Sequence, residues 1–174
     1  TFGMHDDADT KASNIELYTQ KGILGVSFDV TGKTKCHMMV DVPGKFSVYN
    51  SLTAICIARH FGVENSVIMD TLSGMKVNGR VEMYPYSQDF TVIIDYAHNA
   101  VSLESVLTTL KEYKPHRLVC VFGCGGNRSK LRRYEMGEVS GKLADFTIIT
   151  SDNPRFEEPA DIMADIEIEM KKTN

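Results

Sequence analysis

Apolar and polar residues in the first half of the chain follow a pattern that predicts strands. Residues 22–30 and 35–42 alternate or run apolar and are joined by a short turn at 31–33, which is typical of a β-hairpin. A further strand is expected at 14–19. The sequence Gly32-Lys33-Thr34 is not a phosphate-binding P-loop, because that motif needs a glycine at position 27 and serine stands there.

Two helices are expected after the break at Pro43-Gly44. Apolar side chains recur every three to four positions in residues 45–61, as they do on the buried face of an amphipathic helix. We expect Ser47 or a neighbour to cap this helix. A second, shorter helix is predicted at 64–73.

Strand-like and helix-like segments alternate in the second half of the chain. Three short apolar runs are each followed by a segment with helical spacing. The predicted strands are 90–95, 117–122 and 146–150, and the predicted helices are 99–113, 131–142 and 159–171. Three such pairs predict an α/β domain with a doubly wound sheet.

A polar stretch with two glycines, residues 73–79, separates the two patterns and has no periodicity. Such segments are typical of domain boundaries. We therefore expect one domain in residues 1–78 and a second in residues 79–174. No strand follows the last predicted helix; the family resemblance described below implies that the second domain is truncated.

Basic residues follow two of the predicted strands where each strand ends. Arg128 lies beyond a glycine-rich turn, and Asp152-Asn153-Pro154-Arg155 follows the next strand. Ligands of parallel α/β sheets bind at the carboxyl ends of the strands, so we expect both arginines at one site. Guanidinium groups bind carboxylates and phosphates through paired hydrogen bonds. The pattern predicts a site for an anionic ligand.

Other interpretations of the basic residues stay open. Arg128 and Arg155 could form ordinary surface salt bridges, although such bridges contribute only about 0–1 kcal/mol and give little reason for a rigid proline loop. Lys130, Arg132 and Arg133 could bind an anion or could line the solvated face of a helix. The possible salt-bridge partners are Glu135, Glu157 and Glu158.

The composition argues against three classes of partner: nucleic acid, metal ions and membranes. The chain has 174 residues, 43% of them hydrophobic, and a formal net charge of −4, so nucleic acid is not an expected partner. Its four cysteines lack the second Cys pair or His pair of a zinc site, which favours reduced thiols and no metal site. No apolar run approaches the ~20 residues that cross a bilayer, so no membrane partner is expected.

Several short motifs resemble those of the Mur ligase family, in the same order and over nearly the whole chain. They are PGKFSVYNSLTA at 43–54, GRVE at 79–82, DYAH at 95–98, GCGGNR at 123–128 and DNPR at 152–155. The resemblance implies that residues 1–78 are the end of the central ATP-binding domain, a hairpin with helices. It implies that residues 79–174 are most of the Rossmann-like, doubly wound C-terminal domain that binds the amino acid.

The resemblance also implies roles for individual residues. Arg128 and the whole stretch Asp152, Asn153, Pro154 and Arg155 are expected to bind the incoming amino acid. The DNPR version is similar to that of members that add meso-diaminopimelate rather than lysine. The second carboxylate of diaminopimelate suits a bidentate arginine contact.

Five residues are expected near the nucleotide by the same resemblance: Asn50, Arg80, Asp95, Tyr96 and His98. From the residues alone, Asp95 at a strand end could accept hydrogen bonds from ribose hydroxyls. Without the resemblance, Asn50 could equally be a surface residue, Arg80 would usually be one, and His98 would more often be a helix N-terminal residue with no ligand.

The chain departs from the family pattern at two positions. Ala100 stands where proline is usual, and Asn127 replaces the usual aspartate. The change to Ala100 makes a helix start less rigid without removing a donor or an acceptor. The change to Asn127 removes one negative charge beside the predicted amino-acid site.

The activity implied is that of a cytoplasmic amide ligase of peptidoglycan biosynthesis that uses ATP and Mg²⁺. Such enzymes activate a carboxylate of a UDP-muramoyl dipeptide as an acyl phosphate, which the amine of the third amino acid attacks. The sequence contains no complete P-loop, so phosphate and Mg²⁺ are expected to bind mainly upstream. No catalytic residue is expected in this chain, which alone is predicted to be inactive.

Alternatives to this activity stay open. The chain could belong to a lysine-adding or other Mur ligase, or to a ligase similar to folylpolyglutamate synthase. It could also be a non-catalytic module that binds an amino acid or a nucleotide, or a purely structural α/β scaffold.

Overall fold

A computed structural model describes residues 1–84, 86–87 and 89–173. Its elements fall into two compact units, Thr1–Tyr96 and Ala97–Asn174. The α/β class expected from the sequence is confirmed. The boundary between residues 78 and 79 lies within the first of these units and stays a prediction about the domains of the parent protein.

A four-stranded sheet forms the centre of the first unit. Its strands, in spatial order, are β1 (Phe2–Gly3), β2 (Thr10–Gln20), β3 (Ile23–Gly32) and β4 (Cys36–Val40). The first two strands are parallel and the other neighbours are antiparallel. The predicted hairpin is confirmed, with Val26 of β3 opposite Val40 of β4.

One face of this sheet is buried beneath two helices. Val26, Phe28 and Val30 alternate along β3 and are at most 1% exposed, as the two-residue period of a strand requires. The predicted helices are confirmed as α1 (Lys45–His60) and α2 (Asn65–Ser73), and their apolar side chains join the same core. Removal of this apolar area from water is the main force that holds the unit together.

The start of α1 differs from the prediction. Within the described residues no side chain caps this helix, and its N-cap is Gly44, with φ of 89°. Ser47 instead donates from its hydroxyl to the carbonyl oxygen of Pro43 at 2.9 Å. The prediction of a Ser47 cap is wrong, because the hydroxyl lies inside the first turn and is buried. Glycine adopts the positive φ at this position without a steric penalty.

A small antiparallel sheet follows, formed by β5 (Glu82–Tyr84) and β6 (Val92–Ile94). The second of these strands is the one predicted at 90–95, shortened at both ends. The first was missed, because three residues are too few for an alternation pattern to be visible. The pairing of Glu82 with Ile94 brings the residues just before β5 beside those just after β6.

Three helices and a pair of parallel strands form the second unit. In chain order they are α3 (Ala100–Glu112), β7 (Val119–Phe122), α4 (Lys130–Leu143), β8 (Phe146–Ile149) and α5 (Pro159–Met170). All five were predicted. The strands are paired from Val119 with Phe146 to Phe122 with Ile149, so their carboxyl ends meet at one edge. This edge is where the predicted amino-acid site lies.

The helices of this unit are fixed by caps and close packing. The side chain of Asn99 caps α3 by accepting from the Ser102 N–H at 2.9 Å, so the helix begins firmly although Ala100 replaces proline. Gly137 lets α4 approach α5 closely, since a Cβ atom there would lie 2.1 Å from the carbonyl oxygen of Ile166. None of the helices in the described part of the chain has both the length and the apolar character of a membrane span.

Candidate functional site

The glycine-rich turn after β7 lies directly against the loop after β8. A Cβ atom on Gly123 would come 2.3 Å from the carbonyl oxygen of Thr150, and one on Gly126 would come 1.9 Å from that of Pro154. Contacts this short exclude any side chain. Gly123 and Gly126 are therefore explained by the approach of the two loops to each other.

Hydrogen bonds join the two loops along their length. The N–H of Gly126 donates to the carbonyl oxygen of Asn153 at 2.8 Å. In the opposite direction, the N–H of Phe156 donates to the side-chain oxygen of Asn127 at 3.2 Å. The side-chain oxygen of Asn153 also accepts from the N–H of Arg155 at 3.2 Å, which closes a local turn. The loops that carry Arg128 and Arg155 form one bonded unit.

Both arginines expected at this site are exposed on it. Arg128 and Arg155 form no ion pair with any described residue, so the surface salt bridges considered from the sequence are not present. Asp152 is exposed as well. Arg155 has a φ of 53°, a left-handed conformation that costs free energy in a non-glycine residue. The loop thus holds the backbone of Arg155 in a strained conformation.

Arg133 is not on a solvated helix face and is not available to an anionic ligand. Its side chain is 1% exposed and donates to Glu157 at 2.8 Å and to Asp165 at 2.9 Å. Both interpretations offered from the sequence are therefore wrong for this residue. The signal that could have found it is its spacing, because Arg133 lies three residues before the buried Met136 on the inner face of α4.

The neighbouring basic residues, Lys130 and Arg132, are less buried than Arg133. Lys130 lies 3.3 Å from Asp165 and is itself exposed, and Arg132 is half-buried. Glu157 accepts from Arg133 and from the backbone N–H of Asn127, and these hydrogen bonds lower its pKa to about 2. The carboxylate is thus charged at any physiological pH.

Three of the five candidate nucleotide residues lie together at the small antiparallel sheet. Asp95, which follows β6, accepts from the N–H of Val81 at 2.8 Å. The guanidinium of Arg80 lies 4.6 Å from the ring centre of Tyr96, within the range of a cation–π contact. Arg80 is exposed but is ordered by an aromatic partner, so it is more than an isolated surface cation.

The turn that carries Arg80 is further fixed by Glu82, which the sequence did not single out. Its carboxylate accepts from the N–H of Gly79 at 2.8 Å and from the Tyr84 hydroxyl at 2.6 Å. The Tyr84 hydroxyl, followed by the Gly79 N–H, lowers the pKa of Glu82. A charged acceptor inside the GRVE motif therefore holds the turn closed.

The other two candidate nucleotide residues lie elsewhere. Asn50 is exposed on α1 in the first unit. His98 is exposed in the second unit, directly before Asn99, the N-cap of α3. Their expected nucleotide roles stay predictions.

The cysteines and acidic residues of the described chain do not form a metal centre. No group of three or more His, Cys, Asp or Glu side chains in residues 1–84, 86–87 and 89–173 could hold a metal ion. All four cysteines are free thiols, and burial raises the pKa of Cys120 and Cys124. Neutral, buried thiols of this kind are unreactive.

Comparison with known proteins agrees with this geometry. The chain is 43% identical over its whole length to the UDP-N-acetylmuramoyl-L-alanyl-D-glutamate–2,6-diaminopimelate ligase of Caldanaerobacter subterraneus subsp. tengcongensis, of which it covers 36%. A solved structure of a ligase with this name is 28% identical, with a TM-score of 0.65 over 96% of this chain and 34% of the other. The chain thus spans about a third of the length of these relatives.

The fold is shared more widely than the sequence. Folylpolyglutamate synthase from Thermotoga maritima matches 92% of this chain and 38% of its own with a TM-score of 0.69 at 19% identity, which shows a common fold alone. Residues 79–174, more than half of the chain, match the family described as Mur ligase, glutamate ligase domain. The chain carrying the paired loops of Arg128 and Arg155 therefore belongs to the Mur ligase family.

Proposed function

We propose that this chain is part of an ATP-dependent amide ligase that adds meso-diaminopimelate to UDP-N-acetylmuramoyl-L-alanyl-D-glutamate in peptidoglycan biosynthesis. The observation that carries the proposal is the bonded pair of loops at the carboxyl ends of β7 and β8. These loops expose Arg128 and Arg155, neither of which has an ion pair among the described residues. The name of the relative that is 43% identical supports the same substrate class.

The two arginines would select the amino acid by its charge. Diaminopimelate carries a second carboxylate and a second ammonium at the end of its side chain, where lysine has only an ammonium. An exposed guanidinium held by a rigid loop can form a bidentate pair with that carboxylate. Lysine would leave the arginine without a carboxylate partner in the complex, which makes that complex costly. Asp152 and the side-chain amide of Asn153 are proposed to contact the ammonium and carboxylate groups beside it.

The reaction proposed for the whole protein has two steps. The γ-phosphoryl group of ATP passes to the carboxylate of the muramoyl dipeptide and gives an acyl phosphate and ADP. The amine of diaminopimelate then attacks the acyl carbon, an amide bond forms, and inorganic phosphate and a proton leave. In this reaction, the role of the present chain is to bind the amine-bearing substrate and to orient it for attack.

Mg²⁺ and the triphosphate are proposed to bind mainly upstream of this chain, because its sequence has no complete P-loop. Mg²⁺, when bound, neutralises charge on the phosphates during transfer. The described residues do not offer a set of metal ligands, so no step of the proposal runs through a metal on this chain. Catalytic residues are likewise proposed to lie outside it.

The adenosine part of ATP is proposed to contact the cluster formed by Arg80, Asp95 and Tyr96. The Tyr96 ring and the Arg80 guanidinium give a flat, positively charged surface, and carboxylates such as Asp95 bind ribose hydroxyls. Asn50 and His98 are each proposed to contact the nucleotide in the whole protein. We place the protein in the cytoplasm, with small-molecule partners only and the domain boundary at 78/79.

The experiment is a ligation assay with the full-length protein that contains this chain. We expect ATP-dependent amide formation with meso-diaminopimelate and the muramoyl dipeptide. Lysine should be used at least about 100-fold less efficiently, a conservative lower bound on the roughly 10⁴-fold discrimination that an unpaired polar group can give. The isolated chain of residues 1–174 is expected to consume no ATP. Equal use of lysine would contradict the proposed specificity for diaminopimelate. ATP consumption by the isolated chain would contradict the proposal that the catalytic residues lie outside it.

A further inference from the structure

Arg133 lies behind the candidate site and joins three parts of the second unit. Its side chain is 1% exposed, so it cannot touch a ligand bound at the exposed arginines. One guanidinium nitrogen donates to Glu157, beyond the Arg155 loop, and another donates to Asp165 on α5. A planar fork of this kind fixes the directions of both partners at once, which a lysine cannot do.

Glu157 connects this fork to both loops. Its carboxylate accepts from the backbone N–H of Asn127, the residue directly before Arg128. Its own N–H donates to the carbonyl oxygen of Pro154 at 3.0 Å, directly before Arg155. Glu157 therefore holds the residue before each of the two exposed arginines, Asn127 through its side chain and Pro154 through its backbone N–H.

Unusual backbone conformations occur at Asn127, which the Glu157 carboxylate holds, and at Arg155, which directly follows the held Pro154. Asn127 has a φ of 51° and Arg155 a φ of 53°, and non-glycine residues keep such angles only where their surroundings enforce them. Hydrogen bonds to a charged acceptor are stronger than those to a neutral one, so the Glu157 carboxylate is well suited to enforce the angle at Asn127.

We propose that Arg133 and Glu157 are positioning residues that set the distance and angle between the Arg128 and Arg155 loops for the amino-acid substrate. This inference rests on the proposed function, because it names that site as the one being positioned. Neither residue needs to contact the substrate. The ion pair of buried Arg133 with half-buried Glu157 supplies directional hydrogen bonds that an apolar contact of the same size would not.

The test uses Glu157→Gln and Arg133→Lys in the full-length protein, with Glu138→Gln as the matched control. Glu138 lies on the same helix as Arg133 and pairs with Lys142 at the surface, so its change removes an ion pair remote from the loops. Glu157→Gln keeps the size of the side chain and an acceptor oxygen, which favours a folded variant. Circular dichroism checks folding before any kinetic measurement.

We expect Glu157→Gln to raise the KM for meso-diaminopimelate roughly 10- to 100-fold, since small displacements of binding groups have effects of that size. The KM for ATP should stay within about twofold, and Glu138→Gln should change neither. Arg133→Lys should raise the same KM in the same direction. A role in folding alone would instead lower the amount of active enzyme and leave all KM values unchanged.

Hydrogen exchange separates this inference from the proposed function. The amides of Gly126 and Phe156, which bond across the loops, should exchange at least about tenfold faster in Glu157→Gln than in the unsubstituted protein. If the unsubstituted protein does not ligate diaminopimelate but this exchange increases, the proposed function fails and the positioning of the loops stands. Unchanged exchange, or a KM for diaminopimelate that moves less than twofold in the folded variant, would overturn the inference.

Discussion

Gly126 and Pro154 lie so close that a Cβ atom on the glycine would come within 1.9 Å of the proline carbonyl oxygen. The bond from the Gly126 N–H to the Asn153 carbonyl oxygen keeps the two loops at this distance. The position of Arg128 relative to Arg155 therefore depends on the absence of a side chain at a residue that contacts no ligand in our proposal.

Alanine at position 126 is expected to force the loops apart. We predict a loss of about 1–3 kcal/mol in the free energy of unfolding, typical of overpacking, and weaker binding of diaminopimelate. Gly125→Ala is the matched control, because its Cβ would lie 3.7 Å from the nearest atom, an ordinary contact. Chemical denaturation measures the difference, and equal stability of the two variants would show that the loops are not packed as described.

The replacement of aspartate by asparagine at position 127 should matter little for the fold of the loop. The side-chain oxygen of Asn127 accepts from the Phe156 N–H, and an aspartate oxygen can do the same. We therefore predict that Asn127→Ala loses about 1 kcal/mol or more from the missing bond, whereas Asn127→Asp keeps most of the stability. Thermal unfolding at neutral pH compares them, and a loss for Asp as large as that for Ala would contradict this account.

Arg80 is expected to act on ATP and not on the amino acid. Arg80→Ala removes the cation from the Tyr96 ring and should raise the KM for ATP by about tenfold, corresponding to a contact of roughly 1–2 kcal/mol. The KM for diaminopimelate should not change. Steady-state kinetics with each substrate varied in turn provides the check, and a selective effect on diaminopimelate would remove Arg80 from the nucleotide site.

The stability of the second unit should fall at low pH partly through Glu157. Its pKa is about 2 in the folded protein against 4.5 for an unperturbed glutamate. A depressed pKa stabilises the fold above the unfolded value, and this stabilisation is lost as the pH falls from about 4.5 towards 2. Glu157→Gln should therefore lose less stability than the unsubstituted protein between pH 5 and about pH 2.5. Denaturation at the two pH values measures this difference, and identical losses would contradict the Arg133–Glu157 pair.

Much of the fold followed from periodicity. The hairpin of β3 and β4 and the five helices have patterns long enough to be visible, and the structure confirms them. Strand β5 has only three residues and was missed. Ser47 was misjudged as a cap, because the sequence cannot show that its hydroxyl turns back to Pro43.

The sequence predicted which loops form the candidate site, but it did not predict the buried contacts of Arg133 behind them. Arg128 and Arg155 follow neighbouring strands, and parallel pairing alone places their loops at one edge. The burial of Arg133 could not be predicted, because its partners Glu157 and Asp165 lie 24 and 32 residues away along the chain. A charged residue on a helix is usually exposed, and only tertiary contacts make the exception.

Binding of meso-diaminopimelate and of lysine to the full-length protein, measured by calorimetry, tests the central claim most directly. The unsubstituted protein should bind diaminopimelate at least about 100-fold more tightly than lysine, and Arg155→Ala should remove most of that preference, as expected for one charged bidentate contact. Lys111→Ala, which removes an exposed cation from α3, should leave the preference intact. Equal affinity for the two amino acids in the unsubstituted protein, or a preference that survives Arg155→Ala, would contradict the claim.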